Sequence, residues 1–265
     1  MIDKFEISGV PLSSRFLLGS AGYPNPQLLA EAVKASDTQL LTVGLKRSMA
    51  ETAGDNGFVA MALAAARAQG ARLLPNTAGC RSAGEAVQLA CMARELYGTD
   101  WIKLEVTGDE HTLQPDPFEL LAAAGELVKL GFTVLPYCTD DLVLCRRLLD
   151  AGCAVLMPWG APIGSGQGLL NPWALRTLRE RLPEAVLIVD AGLGAPSHAA
   201  QAMELGYDAV LLNSAVAQAR DPVRMASAFR DAVRAGRQAF LAGLMPAQDF
   251  AVPSTPVGGH AFLLS

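Results

Sequence analysis

Of the five lysines in the 265-residue chain, at positions 4, 34, 46, 103 and 129, one lies in the middle of an apolar run, Trp101-Ile-Lys-Leu-Glu-Val106. An extended strand alternates its side chains, so Trp101, Lys103 and Glu105 share one face while Ile102, Leu104 and Val106 share the other. The second face is the apolar one. If the sheet closes into a barrel, that face meets the surrounding helices, and Lys103 and Glu105 point inward, about 7 Å apart along the strand at roughly 3.3 Å per residue. An amine held in an apolar interior has a lowered pKa and a free lone pair, which suits it to form an imine with a carbonyl substrate. Glu105 opposes that shift by favouring the ammonium, and its natural part is to shuttle protons during imine formation and the rearrangements that follow. The competing structural reading is an internal salt bridge that closes one layer of the barrel. Lys46, after the second strand, reads as a substrate-anion contact or a solvated end residue.

A second carboxylate follows from Val186-Leu-Ile-Val-Asp190, an apolar run that ends in Asp190 and continues as Ala-Gly-Leu-Gly194. Asp190 falls at the carboxyl end of a strand, where α/β barrels carry their catalytic groups. Its alternative part, capping the next helix, is better filled by Ser197, which lies closer to that helix. Three segments are able to hold a phosphate: Gly164-Ser-Gly166, Ala191-Gly192 and Asn213-Ser214, each following a strand. Glycines let backbone N–H groups approach an anion, and a helix N-terminus adds its dipole. Asn76-Thr-Ala-Gly79 reads equally as a turn with a helix cap or as a substrate contact. The cysteines read as small core residues, with Cys138 alone placed where it could face the site.

These residues need a frame, and the chain supplies eight short apolar runs: 15–19, 40–45, 71–75, 101–106, 133–137, 154–158, 186–190 and 209–213. Helical patterns lie between them, among them 26–35, 83–96, 117–130, 142–151, 197–205 and 222–235, several opened by proline and followed by Gly131, Gly152, Gly206 or Gly236 at the expected stop. Eight strand–helix units in roughly 220 residues predict an α/β protein of one domain, a (βα)8 TIM barrel over residues 1–236. Residues 237–265, with Pro253, Pro256, Gly258 and Gly259, read as an irregular C-terminal arm. An open parallel sheet is the alternative, and it would place the site at the same strand ends.

Composition narrows the function classes. Hydrophobic residues make up 51% of the chain and charged residues 18%, enough for a large core and against wholesale disorder. A net charge of −5 leaves no basic face for a phosphate backbone, so nucleic acid is not expected as a partner. Five cysteines without a C-x-x-C pair and three histidines give no zinc-ligand pattern, and fit a reduced, cytoplasmic setting. The N-terminus has neither the basic start nor the apolar stretch of a secretory signal. The uncharged stretch 151–175 contains three prolines and cannot be a lipid-embedded helix, so no membrane partner is expected.

From about Phe16 to Met245 the sequence resembles the bacterial thiazole synthases, which assemble the thiazole phosphate moiety of thiamin. The resemblance rests on Leu73-Leu-Pro-Asn-Thr-Ala-Gly-Cys80, Trp101-Ile-Lys-Leu-Glu-Val106, Gly131-Phe-Thr-Val-Leu-Pro-Tyr137, Ala161-Pro-Ile-Gly-Ser-Gly-Gln-Gly168, Val189-Asp-Ala-Gly192 and Ala209-Val-Leu-Leu-Asn213. It implies that Lys103 forms an imine with 1-deoxy-D-xylulose 5-phosphate, that Glu105 and Asp190 are the acid–base carboxylates, and that Gly164, Ala191, Gly192, Asn213 and Ser214 contact the substrate phosphate. It further implies dehydroglycine as a second substrate, sulfur from a ubiquitin-like carrier protein bearing a C-terminal thiocarboxylate, a homotetramer, and no metal or redox cofactor. The chain departs from the usual pattern at Gly22, at Lys46 and Arg47, and from Glu51 to Gln69, all in the first two loops. Two other classes compete: a Schiff-base aldolase, or another phosphosugar-thiolating barrel enzyme, and a non-catalytic scaffold that only binds the carrier.

Overall fold

The computed structural model describes residues 3–46, 64–252 and 254. The chain opens with a hairpin that the sequence reading did not anticipate, β1 (Phe5–Ile7) and β2 (Val10–Leu12), paired antiparallel. Its two-residue turn has positive φ at both Ser8 and Gly9, the conformation whose twist matches that of paired strands. Eight parallel strands follow and close on themselves: β3 (Phe16–Gly19), β4 (Leu40–Gly44), β5 (Arg72–Asn76), β6 (Trp101–Leu104), β7 (Thr133–Cys138), β8 (Val155–Pro158), β9 (Val186–Asp190) and β10 (Ala209–Leu212). β10 pairs with β3 and completes the ring. The predicted (βα)8 barrel is therefore the fold, and the open sheet is excluded.

Helices among the described residues include α1 (Pro26–Ser36), α2 (Ala83–Tyr97), α3 (Pro117–Lys129), α4 (Leu142–Asp150), α5 (Pro172–Arg181), α6 (Pro196–Glu204), a single turn α7 (Ser214–Ala217) and α8 (Pro222–Ala242). Their starts are written locally. Asn25, Asp116, Asn171 and Asp221 each precede a proline and accept a hydrogen bond from a backbone N–H of the first turn, which satisfies a donor the helix cannot. None of these helices is long and apolar enough to cross a membrane.

Strand alternation sorts the core into two layers. Ile102, Leu104, Val106, Val134 and Leu156 face outward and pack under the helices. Leu17, Leu40, Leu74, Trp101 and Leu135 face inward near the strand starts, where Phe5, Ile7 and Leu12 of the hairpin join them. Burial of each such leucine removes apolar area worth about 1.5–3 kcal/mol from water. The hairpin thus plugs the amino-terminal end of the barrel and leaves the carboxyl ends of the strands open.

Two of the expected boundaries move. Gly131, Gly152 and Gly206 have the positive φ of helix stops, but Gly236 lies inside α8, which runs six residues further to Ala242. The reason is packing: α8 crosses α6, and a Cβ on Gly236 would lie 2.4 Å from the Ala200 carbonyl oxygen. Glycine is there to let two helices touch. The part of the expected arm from 237 to 242 is therefore helical, while its glycines and prolines at 253 and 256–259 lie outside the described residues. A Gly236→Ala substitution is expected to lower stability by about 1–3 kcal/mol despite alanine's better helix propensity, measured as a reduced urea midpoint.

Candidate active site

β6 delivers Lys103 into the barrel as its alternation requires, with only 5% of the residue exposed. The strand itself ends at Leu104, one residue short of Glu105, so periodicity alone does not aim the glutamate. Thr77 does. Its hydroxyl donates to the Glu105 carbonyl and accepts from the Glu105 N–H, both at 2.8 Å, while the Thr77 N–H bonds the Lys103 carbonyl. Thr77 is fully buried and carries the ladder between β5 and β6 past the end of the strand. Sequence reading assigned this residue no role; a buried threonine next to Asn76, which pairs in register with Lys103, was the available signal.

Asp190 arrives from β9, three strands around the ring, with 1% of its surface exposed. Lys103 Nζ lies 2.7 Å from Asp190 Oδ2 and 2.9 Å from Glu105 Oε1. The three candidate catalytic residues are therefore one buried cluster with one cationic and two anionic groups. The electrostatics correct one expectation. Burial alone would lower the Lys103 pKa, but the facing charges of Asp190 and Glu105 outweigh it and hold the amine above the ordinary lysine range. The strain falls on the acid instead. Burial pushes Asp190 up to about 6, Glu105 adds to the rise, and Lys103 holds it down.

The cluster forms the floor of a cavity of about 810 Å3 that opens at the carboxyl ends of the strands. All five predicted phosphate contacts, Gly164, Ala191, Gly192, Asn213 and Ser214, lie on its wall. Gly164 and Gly192 have positive φ, and so does Ala191, a conformation that costs a residue with a Cβ. A Cβ on Gly192 would lie 2.4 Å from both the Ala161 nitrogen and its Cβ, and one on Gly194 would lie 2.3 Å from the Gly166 carbonyl oxygen. Glycine here lets the loops after β8 and β9 touch. Asn213 begins α7 and donates to the Ala21 carbonyl at 2.9 Å, tying the last loop to the first.

One assignment from sequence is corrected and two points left open are decided. Ser197 does not cap α6; the helix starts at Pro196, and His198 Nδ1 accepts from the N–H groups of Gly194 and Ala195 at 3.2 and 3.3 Å. Cys138 faces away from the site, toward the helices, its Sγ 3.9 Å from that of Cys145. Asn76 does open a turn, its Oδ1 accepting from the Ala78 N–H at 3.3 Å, but Ser82 caps α2, and Asn76 also lines the cavity. Lys46 also lines the cavity, with its amine bound to the Gly79 carbonyl at 2.5 Å and 3.7 Å from Glu85. Of the unusual first two loops, Gly22 has φ of 78°, whereas Arg47 and 51–63 lie outside the described residues.

Over residues 6–256 the sequence matches the family described as thiazole biosynthesis protein ThiG. The chain belongs to this family of thiazole synthases. A thiazole synthase of Coxiella burnetii is 57% identical over 260 residues, covering 98% of each chain, and one of Ralstonia pickettii is 60% identical over 261, covering 98% of this chain and 94% of the other. Among solved structures, the BexX/CysO complex of Amycolatopsis orientalis contains a chain of the same fold, with a TM-score of 0.81 and 30% identity over 92% of this chain and 98% of that one. A thiamine phosphate pyrophosphorylase of Pyrococcus furiosus, at 14% identity and a TM-score of 0.58, shares the fold alone. Membership places the protein in thiazole biosynthesis. The cavity walls generate one prediction: Gly192→Ala, which forces a Cβ into Ala161 and a residue with a side chain into positive φ, is expected to cost about 1–3 kcal/mol of stability, read by thermal or urea melting.

Proposed function

We propose that this thiazole synthase condenses 1-deoxy-D-xylulose 5-phosphate, dehydroglycine and sulfur from a thiocarboxylated carrier protein into thiazole phosphate, through an imine on Lys103. The observation that carries the reading is the Lys103 amine at the floor of the cavity in the closed barrel's mouth, bracketed by two carboxylates at 2.7 and 2.9 Å. An ammonium is not a nucleophile, and the cluster contains the means to free it. Lys103 passes a proton to Asp190, whose raised pKa makes it a better acceptor than an ordinary aspartate. The amine then attacks the ketone carbon, the nitrogen's proton passes to the new alkoxide, and Asp190 returns its proton as the hydroxyl leaves as water. The nitrogen ends as an iminium, and the aspartate as it began. Glu105 accepts and returns protons in the rearrangements that follow.

The phosphate belongs in the pocket of Gly164, Ala191, Gly192, Asn213 and Ser214, where the positive φ of Gly164 and Gly192 lets the backbone line the wall without side chains and the start of α7 favours an anion. The carrier assignment draws support from the likeness to a protein solved in complex with a second chain, CysO. The same reading includes a homotetramer working in a reducing cytoplasm, in keeping with five free cysteines.

Borohydride added with 1-deoxy-D-xylulose 5-phosphate is expected to fix the sugar on Lys103, located by mass mapping of the digest; a modified residue elsewhere would sink the mechanism. Glu105→Gln and Asp190→Asn should each lower kcat by roughly 10²-fold or more with the fold retained, as losses of general acid–base groups do. The acid limb has a defined sign. Asp190 accepts a proton only as the carboxylate, so kcat/KM falls as the pH drops through about 6, and the Asp190→Asn profile loses that limb.

A further inference from the structure

Tyr137 takes no part in the chemistry above, yet it lies against it. On β7, Leu135 pairs in register with Lys103 and faces inward, and two residues on Tyr137 faces inward again, one layer nearer the mouth. Its ring centroid is 5.6 Å from Lys103 Nζ, and 1% of the residue is exposed. The hydroxyl oxygen is buried and has no hydrogen-bond partner among the described residues. Tyr207, equally buried, shows the ordinary arrangement: its hydroxyl donates to the Leu175 carbonyl at 3.0 Å. A phenylalanine at position 137 would fill the same space without stranding a polar group, so packing does not account for the hydroxyl.

The nitrogen chemistry supplies an account. As an ammonium, Lys103 has three N–H groups and forms ion pairs with both Glu105 Oε1 and Asp190 Oδ2, although Asp190 Oδ2, like the Tyr137 hydroxyl, is buried without a well-directed hydrogen bond. As an iminium bonded to the sugar it has one. Imine formation therefore leaves one N–H to face two buried carboxylates at the moment they must move protons, and a buried carboxylate oxygen without a donor is costly. The charged and titratable groups that act on Tyr137 are Lys103 on β6, Glu105 just beyond it, Asp190 on β9 and, from the outward face of its own strand, Cys138, while its register partner on β8 is the apolar Met157. Burial and then the charges of Asp190 and Glu105 hold the phenol far above its ordinary range, so it keeps its proton and can only serve these carboxylates as a donor.

We propose that Tyr137 is a positioning residue: its hydroxyl, unpartnered while Lys103 is free, donates to the carboxylate that loses its N–H when Lys103 becomes an iminium, and so stabilises the covalent state. The inference rests on the Lys103 imine. It is tested with the full-length protein and 1-deoxy-D-xylulose 5-phosphate, comparing wild type with Tyr137→Phe, which keeps the ring and removes only the hydroxyl. The variant is expected to melt at or above the wild-type temperature, to keep KM within about twofold, to lose roughly tenfold in kcat, and to yield less borohydride-trapped protein at saturating sugar. Tyr207→Phe, which loses a satisfied hydroxyl, should show the reverse pattern of a lower melting temperature with kcat unchanged. A Tyr137→Phe protein with wild-type kcat and trapping yield overturns the proposal, as does a kcat loss that only tracks a lowered melting temperature. Should the wild type itself trap no sugar on Lys103, the imine reading falls first and takes this inference with it.

Discussion

One cation between two anions, all three out of water, is the constraint on which the rest of the structure depends. Lys103, Glu105 and Asp190 cannot all hold their usual charges comfortably, because the cluster carries a net negative charge in a medium that screens it poorly. Hydrophobic residues of similar volume would fill the same barrel layer more stably. The fold bears that cost with the apolar layers above and below it: the helix-facing side of every strand, and the leucine-rich floor completed by the hairpin. On the proposed chemistry, the imbalance is also what makes the cluster reactive. Without a third group, a lone lysine–glutamate pair would be neutral; the surplus carboxylate, Asp190, is the one that can take a proton near neutrality.

Much of this was legible in the order of residues. Alternation in Trp101 to Val106 gave the inward direction of Lys103, and the position of Asp190 at the end of an apolar run gave the rim it occupies. Eight repeats of strand and helix gave the closed ring. Neither the distance between Asp190 and Lys103 nor its consequence could be read, because the two residues are 87 positions apart and meet only when the barrel closes. The sign of the amine's shift followed from that missing contact: with Glu105 alone the balance of burial and charge was open, and Asp190 decides it. The hairpin escaped notice because three-residue strands are too short to show periodicity, and Gly236 misled because a glycine that permits helix contact looks the same, in a one-dimensional chain, as a glycine that ends a helix.

The upper half of the site is built from backbone more than from side chains. Gly192 and Gly194 exist to let neighbouring loops come within van der Waals contact, and Ala191 bears a left-handed backbone immediately after the aspartate. His198 fills the part of a cap with a ring nitrogen and packs that ring against Gly168, so the start of α6 is fixed to the loop after β8. The rigidity of this wall comes from exclusion of volume, and single added carbon atoms are enough to disturb it.

The hairpin beneath the barrel has a consequence for traffic. With the lower end stoppered by Phe5, Ile7 and Leu12, the cavity above Lys103 is, among the described residues, a cul-de-sac that opens at the carboxyl ends of the strands. On the proposed chemistry, a vessel of that shape cannot be loaded from behind once its entrance is occupied, so the small reactants would precede the carrier and the product would wait for it to withdraw.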